Sequence, residues 1–182
     1  MNGPTLPEKI VALHRLLDDE RTPHAFGGAL ALAYYAEPRA TIDIDLNLFV
    51  GPSAYPALER SLAALGVGDG VDPKVVEQDG QCRLRWGSTP VDLFFAYDAL
   101  HEKMRTAART QPFADTAIPV LAPEHLLVCK AVFNRPKDWL DIEQMLVGVE
   151  DLDLDEVAGW LERILGRDDP RAERFQGLAG RE

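Results

Sequence analysis

Asp43 and Asp45 flank Ile44 in the run Thr41-Ile42-Asp43-Ile44-Asp45-Leu46-Asn47, which alternates polar and apolar with period two. A strand with that alternation sends Thr41, Asp43, Asp45 and Asn47 to one face and Ile42, Ile44 and Leu46 to a core. Two carboxylates one pleat apart repel each other, and a divalent cation turns the repulsion into coordination. Hard carboxylate oxygens suit Mg²⁺, which takes one or two of them and completes its shell with water and substrate phosphates. Upstream, Gly27-Gly28 separates a strand-like run, His24–Phe26, from an Ala- and Leu-rich run beginning at Ala29. Glycines at such a junction let backbone N–H groups approach a phosphate beside the positive end of a helix, although the same pair also serves as a plain turn. A third acid, Asp92, stands in the otherwise apolar run Pro90–Phe95. A carboxylate there faces solvent, pairs with a cation or binds metal. Each acid alone reads as a solvated or ion-paired residue. Together, downstream of the glycine turn, they point to a metal site.

These residues need a scaffold. Pro7–Glu20 has helical spacing, with Ile10, Leu13, Leu16 and Leu17 on one side. The sequence then predicts strand 24–26, helix 29–36 ending before Pro38, strand 41–50, a turn and cap at Gly51-Pro52-Ser53, and helix 55–65 closed by Gly66. Strands are expected over 77–86 and 90–96, joined as a hairpin at Gly87-Ser88-Thr89, with a helix over 98–110 and a short strand at 118–121. From Pro123 the pattern is helical: Glu124–Phe133, then Pro136 to about Val147, then Asp153 or Asp155 to Gly166. The tail from Arg167 reads as loose. The expectation is an α+β chain with a mixed sheet flanked by helices over residues 1–120 and a small helical region over 121–182.

Composition narrows the class. The chain has 182 residues, 46% of them hydrophobic, with no run long and apolar enough to span a bilayer. MNGPTLPEKI lacks the basic-then-apolar pattern of a signal peptide, and Cys82 and Cys129 are the only cysteines, so a reduced cytoplasmic protein without structural zinc is expected. His14, His24, His101 and His125 form no ligand set, and Ser53, Ser61 and Ser88 lack a nucleophile signature. A net charge of −11 argues against nonspecific nucleic-acid binding. The middle of the chain is more basic, with Arg83, Arg85, Lys103, Arg105 and Arg109 before Lys130, Arg135 and Lys137.

Phe26-Gly27-Gly28-Ala29-Leu30-Ala31-Leu32, followed by Arg39-Ala40-Thr41-Ile42-Asp43-Ile44-Asp45-Leu46, resembles the DNA polymerase β-like nucleotidyltransferases. Within that superfamily the chain is most similar to the AbiEii- and MenT-like toxin nucleotidyltransferases. The Arg-x-Thr-x-Asp-x-Asp-Leu string and the later Lys130…Asn134-Arg135-Pro136-Lys137-Asp138-Trp139-Leu140-Asp141-Ile142 carry that likeness. The resemblance implies nucleotidyl transfer from an NTP, with pyrophosphate released. Asp43, Asp45 and Asp92 would bind Mg²⁺, and Asp92 would be metal ligand or base. Gly27, Gly28 and Ala29 would cradle phosphates, with Arg39 and Lys137 as further nucleotide contacts. Lys130 and Asp141 would join the catalytic set. It also implies a tRNA 3′ end as acceptor and a cognate antitoxin protein as partner. Many superfamily members carry Ser or Thr where Ala29 stands. A small-molecule or protein hydroxyl as acceptor, and a degenerate binding protein, are the other readings. In bland terms, Lys137 and Asp141 four apart suit a surface ion pair, and Asp138 suits the helix dipole.

Overall fold

The computed structural model describes residues 3–180. The chain forms two compact units, Met1–Leu30 with Ala40–Val120 and Ala31–Arg39 with Leu121–Glu182. Positions 1–2 and 181–182 of these spans lie outside the described residues. The sequence placed 31–39 with the first half; in the structure this segment belongs to the helical unit.

The first unit is built on one six-stranded mixed sheet. Its strands are β1 (His24–Phe26), β2 (Ile44–Leu48), β3 (Gln81–Trp86), β4 (Thr89–Phe95), β5 (Arg109–Phe113) and β6 (Thr116–Val120), in the order β3-β4-β2-β1-β6-β5. β1 runs antiparallel to β2 and parallel to β6, β2 runs parallel to β4, and β3 and β5 close the edges as antiparallel partners of β4 and β6. Helix α1 (Leu6–Asp19) opens on a capping box in which Thr5 and Glu8 hold each other. It buries Ile10, Leu13 and Leu17. Helix α2 (Gly28–Leu32) follows the glycine pair, and α3 (Tyr55–Ala64), α4 (Pro73–Asp79) and α5 (Ala99–Ala107) connect the later strands. Alternate residues of the central strands, Ile44, Leu46 and Leu48 with Val91, Leu93 and Phe95, are fully buried.

Several expected boundaries move. The strand predicted over 41–50 starts only at Ile44, so Ile42 is 70% exposed instead of joining the core. The residues before it are held by a local turn, with the Asp43 N–H donating to Thr41 Oγ1 at 3.2 Å. Helix α2 stops at Leu32, and Tyr34 and Tyr35 tighten into single turns on Ala31 and Leu32 instead of carrying the helix to Ala36. Residues 77–79 are helical: Asp72 caps α4 through Lys74 N–H, and Gly80 ends it at φ +66°. Strand takes over from Gln81. The helix expected to reach Thr110 ends at Ala107, and Arg109–Phe113 is an edge strand.

The second unit is helical: α6 (Pro123–Phe133), α7 (Pro136–Gly148), α8 (Leu154–Leu165) and α9 (Pro170–Ala179). Asn134 leaves α6 at φ +57°, and its side-chain oxygen accepts from Trp139 Nε1 at 2.8 Å, fixing the turn into α7. The Tyr35 hydroxyl donates to the Leu121 carbonyl at 2.8 Å and ties segment 31–39 to the start of this unit. The tail is not loose: Asp169 caps α9 through Arg171 N–H, and Phe175 is 1% exposed. No described helix is long and apolar enough to cross a membrane.

Candidate active site

The glycine turn and the acid strand meet in the first unit. The Gly27 N–H donates to the Asp45 carbonyl at 2.9 Å, extending the ladder of β1 and β2 by one bond. That N–H is therefore spent on the sheet. Gly28 sits at φ +54°, and a Cβ there would run into the Asp45 carboxylate. Glycine is needed at this position because Asp45 packs its carboxylate directly over the Gly28 backbone.

Asp92 arrives by register. Asp45 and Asp92 are partners across the parallel pair β2–β4, and Arg83 and Asp92 are partners across the antiparallel pair β3–β4. Directly opposed residues share a sheet face, so Asp45, Asp92 and Arg83 form one row. Arg83 donates from Nε to Asp92 Oδ1 at 2.6 Å and from Nη2 to Oδ2 at 2.7 Å. The hydrogen bonds to Asp92, then the charges of Asp92, Asp43 and Asp45, push the Arg83 guanidinium above even the usual arginine range. Asp92 is thus gripped by one guanidinium, on which the charges of Asp43 and Asp45 also act. Sequence reasoning missed Arg83. Beside it, burial pushes the Cys82 thiol up to about 12, with Glu59 and Asp92 adding to the effect, so it is no nucleophile.

Among the described residues no three His, Cys, Asp or Glu side chains are grouped to hold a metal ion by themselves. The donor chemistry at Asp43 and Asp45 nevertheless fits Mg²⁺, which rarely uses an all-protein cage and accepts one or two carboxylates with phosphates and water. Both Asp92 oxygens accept from Arg83, so a metal ion at Asp92 would share the carboxylate with the guanidinium.

In the second unit, Lys130 and Asp141 come together around a residue from the segment before the acid strand. Lys130 Nζ donates to Asp141 Oδ2 at 2.6 Å. Arg39 reaches the same carboxylate with Nε at 3.2 Å and Nη2 at 3.1 Å. Lys130 and Asp141 are both 3% exposed. Burial pushes the Asp141 carboxyl up, but the hydrogen bonds and charges of Arg39 and Lys130 outweigh it and hold it below the usual carboxylate range. One carboxylate with two cations leaves a net positive group. Lys137 lies exposed on the first turn of α7. The surface pairing of Lys137 with Asp141 is not what forms, since Asp141 is buried and taken by Arg39 and Lys130. Asp138 is fully buried and caps α7, accepting from the Arg135 N–H at 3.1 Å and from its Nε at 2.6 Å.

The family model of the nucleotidyl transferase AbiEii toxin, from type IV toxin–antitoxin systems, matches residues 11–177. Among solved structures, crystalline ANT(2″)-Ia in complex with adenylyl-2″-tobramycin aligns with a TM-score of 0.61 at 14% identity, covering 96% of this chain and 98% of that one. The solution structure of ANT(2″)-Ia, an antibiotic-resistance factor, gives 0.58 at 18% identity over 85% and 92%. The lincomycin-bound lincosamide antibiotic adenylyltransferase LnuA gives 0.57 at 15% identity over 79% and 98%. At these identities the likeness is one of fold. No curated protein sequence matches.

Proposed function

Because the chain belongs to the AbiEii nucleotidyl transferase toxin family, and is thus a nucleotidyltransferase, we propose that it moves a nucleoside monophosphate from an NTP to the 3′ end of tRNA. In this reading pyrophosphate is released, and the chain is the toxin partner of a cognate antitoxin protein. The single observation that carries the siting of the chemistry is the row Asp45–Asp92–Arg83, with the Asp45 carboxylate resting on Gly28.

In this reading Asp43 and Asp45 hold Mg²⁺. Bound there, Mg²⁺ supplies positive charge against the triphosphate oxygens. Asp92 takes the proton of the attacking acceptor hydroxyl. The Gly28 and Ala29 amides lie at the turn where phosphate oxygens would approach. Within the second unit, Asp141 acts as a positioning residue that holds Lys130 and Arg39 together as a pair of cations.

The test is transfer of labelled nucleotide onto total tRNA with Mg²⁺, across the four NTPs. Wild-type protein is expected to label tRNA, and Asp45→Asn to lose at least about a hundredfold in rate. A folded wild-type protein that labels no acceptor at saturating NTP would overturn the reading. A second acceptor class, a small-molecule hydroxyl, is favoured by one observation: the net charge of −11 suits an acceptor without phosphates better than RNA. The ANT(2″)-Ia complex contains an adenylylated small molecule, tobramycin, which gives that class a precedent on this fold.

A further inference from the structure

Arg83 is the more exposed member of its pair with Asp92. It lies on the edge strand β3 with its side chain 56% exposed, whereas Asp92, which it grips, is 14% exposed. Of the two, the arginine is the partner with freedom to move. While the pair is intact, both Asp92 oxygens accept from Arg83. The fork takes one lone pair of each oxygen, so an acceptor hydroxyl must share Asp92 with the guanidinium, although the proposed chemistry asks Asp92 to receive that proton. The same guanidinium also feels Asp43 and Asp45, so a divalent cation at those acids would sit beside a like charge. Two cations drawn to one set of carboxylates compete. A guanidinium fork that fits a carboxylate bidentately also fits a phosphate.

Resting on the transferase reading above, we propose that Arg83 is a displaceable internal counter-ion. It occupies Asp92 in the metal-free protein, competes with the divalent cation for the acid cluster, and on nucleotide binding exchanges the Asp92 carboxylate for a substrate phosphate. Arg83 is thus a positioning residue that keeps Asp92 engaged until metal and nucleotide are both present.

The experiment is an electron paramagnetic resonance titration of the full chain with Mn²⁺, without nucleotide, followed by steady-state kinetics. Arg83→Gln is expected to bind Mn²⁺ at least about tenfold more tightly than wild type while raising KM for NTP. Arg83→Lys keeps the charge without the fork and should stay near wild type in Mn²⁺ affinity while still raising KM. Arg85→Gln removes one positive charge from the same strand, away from the acid row, and should leave Mn²⁺ affinity unchanged. Equal Mn²⁺ affinity in wild type and Arg83→Gln would overturn the inference, as would an equal gain in Arg85→Gln or an unmoved KM. Asp45→Asn separates this from the underlying reading. If Asp45→Asn weakens Mn²⁺ binding but Arg83→Gln changes nothing, only the counter-ion role fails. If Asp45→Asn changes nothing either, the metal reading fails and takes the role of Arg83 with it.

Discussion

Gly28 is where backbone geometry and chemistry depend on each other most directly. Its φ of +54° disfavours any side chain, and a Cβ would enter the volume held by the Asp45 carboxylate. A left-handed non-glycine residue costs about 1–3 kcal/mol, and here Asp45 must also move off the acid row. Gly28→Ala is therefore expected to lower the transfer rate about as far as Asp45→Asn does, with a lower melting temperature. Gly68→Ala, where an added Cβ meets nothing within 4 Å, should leave both near wild type. Wild-type transfer by a folded Gly28→Ala protein would show that the seating of Asp45 is dispensable. Asp45 is legible in the sequence because period-two alternation isolates it on one face, and Asp92 because it stands in an apolar run, whereas Asp43 precedes the strand in a turn held by Thr41. Arg83 was hidden by one residue of register. Joining the strands through Gly87-Ser88-Thr89 would set Asp92 opposite Leu84. The structure turns on Gly87 at φ +61° with Trp86 opposite Thr89, and that two-residue turn sets Arg83 opposite Asp92. A slip of one residue changes every cross-strand partner.

Elements with strong punctuation were readable, and elements defined by distant contacts were not. Pro123 and Pro136 sit in the first turns of α6 and α7, as their fixed φ favours. The strand β5 carries Arg109, Thr110, Gln111 and Pro112 at a sheet edge, with no buried face to give it a pattern. In α4 the pair Val75-Val76 favours strand on intrinsic preference, but Asp72 and Gly80 cap it as a helix. The α9 segment reads as a polar tail because only Ala172 and Phe175 on it are buried. Those two anchors have a measurable consequence. Phe175→Ala should cost about 3–5 kcal/mol by emptying a buried aromatic site, read as a lower denaturant midpoint. A polar substitution at the exposed Glu173 should cost little. Equal, small effects at both positions would mean that the α9 helix is not held by its core contact.

Taken over the whole chain, charge bears on which acceptor this transferase can use. With a net charge of −11, RNA must find local cations. The mid-chain arginines that suggested such a surface are largely engaged: Arg83 with Asp92, Arg85 with Asp69 at 3.8 Å, and Arg105 with Glu102. Each of these must give up or share an acid before it can neutralise a phosphate, so few phosphate contacts are expected. For nucleic acids the logarithm of affinity falls with the logarithm of salt by about 0.7–0.9 per phosphate neutralised. Titrating tRNA with the full chain across 50–200 mM salt should therefore give a shallow slope, on the order of −2. A small hydroxyl acceptor should show almost none. A slope near −10, the range of an extensive phosphate interface, would mean that the cation pairs open cooperatively on RNA. The ion-paired surface seen here would then not be the one that meets the acceptor.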